Sequence, residues 1–200
     1  MSKDTNRNWE QFALLLIDVQ RDFWSKQIAP NFPAFPENVK HLLSFSRCAG
    51  LEVVHLRASF KPDKSDWMLR YRLRGHIPCV EGTQGIETLP FAAEKPGETV
   101  IRKQTFDGFL TSHLLPYLRG KGKRFLLTAG LITSVCVFLT TASAVQLGFL
   151  TAMLEDCCAD EPFVHNDTLE RYQFIFYRTT LDALTTDHPK WLAALEQLGE

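Results

Sequence analysis

The chain reads as an α/β protein, a three-layer α/β/α, Rossmann-like fold whose mostly parallel sheet has about six strands flanked by helices. Three observations predict this. Short apolar runs recur without polar alternation, as strands buried on both faces require. Amphipathic helical patterns with legible ends lie between those runs. The two kinds of segment alternate, which is the order of a parallel sheet built through right-handed crossovers.

The first run covers residues 12–17, all apolar. A helix starts near Pro36 and turns Val39, Leu42, Leu43 and Phe45 inward before Gly50 stops it. Residues 51–56 form the second run and 99–101 a shorter third. Between them, residues 59–98 have several Pro and Gly and no strong period, which marks a lid or interface insertion with one short helix at about 66–74. A helix over 109–118 is expected to kink at Pro116 and to stop before Gly120. Residues 125–129 are the fourth run. The helix after Ser134 is expected to bury Val135, Leu139, Ala142 and Val145 and to end at Gly148. Residues 149–154 are the fifth strand and 174–177 the sixth. A last helix begins around Asp187-His188-Pro189 and is expected to bury Trp191, Leu192, Leu195 and Leu198.

With 200 residues, 45% hydrophobic and 22% charged, the chain suits one ordinary domain over 1–200, with residues 1–10 flexible. A formal net charge of -1 argues against a nucleic-acid or membrane-surface partner, even though residues 70–76 are locally basic and aromatic. That basic stretch suits a solvated helix or a subunit contact, or a lid that presents an arginine to a substrate carboxylate. No apolar run approaches the roughly 18 residues of a membrane span, and the polar start lacks a signal-peptide core. Five cysteines, odd in number and without metal-site spacing, fit a reducing, cytoplasmic setting.

Open α/β sheets bind ligands beyond the carboxyl ends of their strands. Asp18 ends the first strand, Lys103 follows the third and Cys136 opens the helix after the fourth. Taken singly, these residues fit a turn aspartate, a solvated lysine and a small core thiol. On a shared rim they supply base, cation and nucleophile. A cysteine in a helix's first turn is expected to have a lowered pKa, with Lys103 adding to the effect.

Three segments resemble the isochorismatase-like hydrolase superfamily: 14–23 (LLLIDVQRDF), 100–109 (VIRKQTFDGF) and 129–137 (AGLITSVCV), the last followed by 141–144 (TASA) and Gly148. They occur in the family's order and cover most of residues 12–160. The resemblance implies Cys136 as nucleophile, Asp18 as general base and Lys103 as third member of the triad. It also implies a cis peptide at Leu131–Ile132, with the amides of Ile132 and Cys136 as the oxyanion hole. Phe23, Gln20, Phe106 and Thr133 are the substrate-binding candidates, with Thr133 also holding the turn. Trp24, Phe60, Trp67 and Phe109 are secondary pocket candidates. The implied reaction is hydrolysis of a small amide, carbamoyl or ureide C–N bond through a thioester, without a cofactor, in a homodimer or homotetramer.

The pattern departs from metal-dependent nicotinamidases. Residues 55–60 read HLRASF, without an Asp-x-His element, and the six histidines are scattered, so no metal site is expected. Isochorismatases that hydrolyse a vinyl ether generally lack the nucleophilic cysteine. That chemistry is the enzymatic alternative, and a non-catalytic ligand-binding relative is the other. Cys157 and Cys158 are expected to serve packing, and Cys48 and Cys79 to be packing or loop thiols.

Overall fold

The computed structural model describes residues 9–199. The flexibility expected of residues 1–8 lies outside the described residues. Trp9 is buried, its ring stacked on His188 with centroids 3.8 Å apart, so this residue is packed and not part of a flexible end.

Six strands form one sheet: β1 (Phe12–Ile17), β2 (Glu52–Ala58), β3 (Thr99–Lys103), β4 (Phe125–Leu131), β5 (Leu150–Ala159) and β6 (Tyr177–Thr179). Every ladder is parallel, and the order is β3-β2-β1-β4-β5-β6. The chain therefore winds outward from β1 through β2 to β3, then crosses back to lay β4 on the other side of β1. The change of winding direction falls between β1 and β4, where an open sheet offers its crevice. All residues of both central strands are buried, which explains their unbroken apolar sequence. The two strands come very close at Gly130. A Cβ there would lie 2.0 Å from the Ile17 carbonyl oxygen, and the residue's φ of +127° favours glycine.

The helices are α1 (Phe35–Ala49), α2 (Leu69–Arg74), α3 (Leu114–Gly120), α4 (Phe138–Gln146), α5 (Pro162–Arg171) and α6 (Leu184–Gln197). Helix α1 buries Val39, Leu42 and Leu43 as its period predicts and ends on left-handed Gly50. Several expectations are corrected. Helix α3 starts at Leu114, after a separate 3₁₀ turn at Gly108–Leu110 that Asp107 caps at its start by accepting the Phe109 amide. Pro116 therefore sits in the first turn of α3, where its missing N–H is tolerated. Helix α4 buries Thr140, Thr141 and Ala144 rather than the larger side chains, and Leu139 is 37% exposed. Small residues and threonines let α4 lie close on the sheet, where the Thr141 hydroxyl is 2.9 Å from that of Thr128 and donates to the Val137 carbonyl at 2.8 Å.

The sixth strand is Tyr177–Thr179, and the apolar residues before it form a turn that exposes Phe174. Helix α5 was not foreseen, because it buries only His165, Thr168 and Leu169 and is otherwise polar. Helix α6 begins at Leu184 and carries Pro189 inside its second turn, and Leu198 beyond its end is exposed. Cys157 and Cys158 lie within β5, not after it, and both are buried, as is Cys79. Cys48 is exposed.

Residues 59–98 fold back over the carboxyl end of the sheet. Ala58, Phe60, Trp67, Ile77 and Cys79 make a second apolar cluster there, with Phe23, Met68 and Tyr71 packed against it. The segment is tied to the loop after β1. The amide of Cys79 donates to Asp22 at 2.7 Å, that of Asp22 donates to the Gly85 carbonyl at 3.1 Å, and Gln20 pairs with Thr88.

Candidate active site

Asp18 follows β1 in the left-handed region, with φ of 50°. Its own amide donates to the Leu56 carbonyl at 2.8 Å, which holds the sharp turn against β2. One carboxylate oxygen accepts the amide of Ala58 at 2.8 Å, and the other accepts the Lys103 ammonium at 2.6 Å. Lys103 is two strands away at the end of β3, so its side chain spans the end of β2 to reach Asp18. The two side chains are 0% and 1% exposed. A charge pair so deep persists only when its remaining donors and lone pairs are occupied. Lys103 also donates to the Thr105 carbonyl at 2.9 Å and interacts with the Cys136 thiol.

Beyond β4 the chain passes through a cis Leu131–Ile132 peptide into a π-helical turn, Thr133–Val137, that carries Cys136 into α4. The turn is fixed from outside. The Thr133 hydroxyl and His165 Nδ1 are 2.8 Å apart, and the amide and hydroxyl of Ser134 donate to Asp160 at 2.9 and 2.6 Å. The turn places the thiol against both Asp18 and Lys103. Asp18, Lys103 and Cys136 are thus brought together in the crevice between β1 and β4.

The electrostatics differ from the expectation for a cysteine at a helix start. Burial pushes the Cys136 thiol well above its ordinary value, and the Asp18 carboxylate pushes the same way, while Lys103 opposes them only in part. A side chain 4% exposed beside a carboxylate keeps its proton, and the helix amides do not reverse this. Burial pulls the Lys103 ammonium down, but the Asp18 carboxylate, its principal partner, more than offsets this, and the group lies above the usual lysine value. The buried thiol thus sits beside the Lys103–Asp18 ion pair.

Cys136 and Lys103 line a pocket of about 250 Å³, and Asp18 is reached through Lys103 without lining it. Lys103, Ile132, Val135 and Cys136 form its floor, with Ala58 and Thr105 beside them. Phe23 and Phe106 form one part of the wall. Phe60, Met68, Tyr71, Ile77 and Pro78, all from the segment after β2, form the rest. Among the sequence candidates, Phe23, Phe106, Ile132, Lys103 and Cys136 therefore converge on the pocket, with Asp18 bonded to Lys103 outside its lining. Gln20 and Thr133 do not line the pocket. The Gln20 amide nitrogen donates to the carbonyls of Ala58 and Ile86 at 2.9 and 2.8 Å, and its oxygen accepts from Ala58, so it braces the ends of β1 and β2. Thr133 is committed to His165. Of the secondary candidates, Phe60 lines the pocket. Trp24 instead stacks on Phe35, Phe109 packs near Phe149, and Trp67 donates to the Lys61 carbonyl.

Met68 and Tyr71 were missed. Their signal was a three-residue spacing on a short helix, hidden among the exposed arginines 70, 72 and 74. The basic stretch thus turns its tyrosine, not its arginines, toward the pocket.

Comparison with known proteins shows what the chain is similar to. The maleamate amidohydrolase of Pseudomonas putida is 29% identical over 169 residues, which cover 81% of this chain and 77% of that protein. The ureidoacrylate amidohydrolase of Variovorax paradoxus is 29% identical over 169 residues, covering 72% of this chain and 67% of the relative. The crystal structure of an isochorismatase family protein from Desulfovibrio vulgaris superposes with a TM-score of 0.79 at 26% identity, covering 88% of this chain and 97% of that one. The isochorismatase domain model matches residues 12–187, from the first strand into the last helix, and the chain belongs to the isochorismatase family of hydrolases.

Proposed function

We propose that the protein is a cysteine amidohydrolase that cleaves a small amide, carbamoyl or ureide C–N bond through a thioester on Cys136. The observation that carries this reading is the buried contact of the Cys136 thiol with the Lys103–Asp18 ion pair, with Cys136 and Lys103 lining one pocket. The named activities of the maleamate and ureidoacrylate relatives support it.

The geometry suggests the sequence of steps. The substrate carbonyl carbon settles over Cys136 Sγ. The thiol proton passes to Asp18 as sulfur attacks, so a free thiolate need not accumulate despite the raised pKa. The developing oxyanion takes the amides of Ile132 and Cys136 as donors. Asp18 then returns its proton to the leaving ammonia or amine, and the C–N bond breaks to leave the thioester. Water, deprotonated by the same carboxylate, attacks the thioester and releases the acid. Lys103 holds Asp18 in place throughout and balances its charge. We further propose a cytoplasmic homodimer or homotetramer. The five free thiols fit a reducing compartment, and the exposed Leu69 and Leu73 on α2 fit burial between copies.

The test is ammonia release from a panel of small amides and ureides, comparing the native protein with Cys136→Ala. The native protein is expected to turn over at least one panel member, and the variant to lose activity by at least about 10³-fold. A variant as active as the native protein would remove Cys136 from the mechanism.

A further inference from the structure

The pocket above Cys136 is walled by aromatic and aliphatic groups. Four aromatic rings, those of Phe23, Phe60, Tyr71 and Phe106, line it together with the Met68 thioether. Tyr71 and Phe106 meet edge to face, with centroids 6.1 Å apart. Such walls suit a flat group inserted between rings. At about 250 Å³ the space lies below the usual range for drug-sized ligands and holds little more than one ring or a short conjugated chain beside the reacting amide.

The charge in the site is already balanced. Among the described residues, Lys103 is the one cationic side chain that lines the pocket. Its ammonium is shared among Asp18 at 2.6 Å, the Thr105 carbonyl at 2.9 Å and the Cys136 thiol. Asp18 in turn is occupied by Lys103 and the amide of Ala58. The arginines flanking Tyr71 on its helix, 70, 72 and 74, are exposed, and Tyr71 takes the inward position among them. A substrate carboxylate would therefore enter an apolar wall without a partner, which is strongly unfavourable. A substrate cation would meet the rings but also the Lys103 ammonium.

Resting on the amidohydrolase reading above, we infer that the substrate class is uncharged, planar carboxamides with an aryl or alkenyl acyl group. Acids of the maleamate type are then poor ligands, although a relative is named for that substrate. Tyr71 and Phe106, which put rings rather than charges on the wall, set this preference.

The experiment uses matched pairs that differ only by a carboxylate: benzamide against 4-carbamoylbenzoate, and (Z)-crotonamide against maleamate. Binding to the Cys136→Ala protein is measured by titration calorimetry, so that turnover plays no part. Each neutral member is expected to bind about 100-fold tighter than its anionic partner. An anionic member that binds within about threefold of its neutral partner, or no measurable binding by either neutral amide, overturns the inference. Ammonia release by the native protein is scored separately. Neutral amides that bind but are not hydrolysed leave the pocket assignment standing and remove the hydrolytic reading. Hydrolysis of maleamate at a kcat/KM equal to that of crotonamide does the reverse.

Discussion

Replacing Lys103 by methionine isolates the buried ion pair at the centre of the site. Methionine nearly matches the lysine stem in length and suits an apolar pocket, so the change removes the charge with little change of shape. The native pair is 2.6 Å apart with both side chains at 1% exposure or less. Without the ammonium, the Asp18 carboxylate keeps only uncharged partners, the amide of Ala58 and the Cys136 thiol, far from water. Breaking a buried pair from one side destabilises by about 3–5 kcal/mol, because the surviving charge is left uncompensated. Asp18→Asn alone leaves the Lys103 ammonium in the same position and is expected to lose a comparable amount. The double variant Asp18→Asn/Lys103→Met removes both charges, so its loss should fall short of the two single losses added together by at least about 2 kcal/mol. Urea unfolding of the four proteins near neutral pH measures this, with equal slopes confirming that midpoints can be compared. If the single losses simply add, or if Lys103→Met loses less than about 1 kcal/mol, the pair behaves like a solvated surface contact and the reasoning fails.

Two further outcomes arise from networks that the active site does not include. Glu98 accepts from Arg47 at 2.7 and 3.0 Å and from the amide of Lys95 at 2.8 Å, and lies 3.0 Å from His55. Burial opposes its ionisation, but these partners outweigh it and depress the carboxyl from 4.5 to about 2. A depressed carboxyl stabilises the fold above its unfolded value, so its contribution of ~3 kcal/mol is complete at neutral pH and is lost as pH falls from 4.5 toward about 2. Acid titration of the unfolding free energy should therefore show the native protein falling through that window and Glu98→Gln starting lower and falling less; parallel curves would refute this. His165→Phe removes the partner of the buried Thr133 hydroxyl while keeping a ring beside Phe32. It is expected to lose about 1–3 kcal/mol and to lower kcat about tenfold with KM little changed, because the turn carrying Cys136 loosens while the pocket walls stay. Thermal unfolding and steady-state kinetics check the two parts, and a rise in KM at constant kcat would contradict a positioning role.

Much of the molecule was legible in the order of residues because the signals are local. The unbroken apolar runs at residues 12–17 and 125–129 can be satisfied only by strands covered on both faces, and they became the two central strands. Parallel strands deliver their trailing loops to one end of the sheet, so Asp18, Lys103 and the segment with Cys136 had to share a rim once the topology was parallel. Tertiary structure decided the properties that depend on depth and on partners distant in sequence. The direction of the Cys136 shift came from burial and from Asp18, neither of which a helix-start argument contains. Gln20 and Thr133 were turned away from the pocket by Ala58, Ile86 and His165, partners separated from them by at least 32 positions. Helix α5 escaped detection because a helix that buries a histidine, a threonine and one leucine has almost no hydrophobic period. The pocket wall came from α2, whose inward face was set by docking onto Phe60, Trp67 and Ile77 and not by its own strongly basic sequence. Local patterning determines which segments are strands and helices, while the facing of each side chain and the charge state of a buried group depend on the groups that the completed fold packs around it.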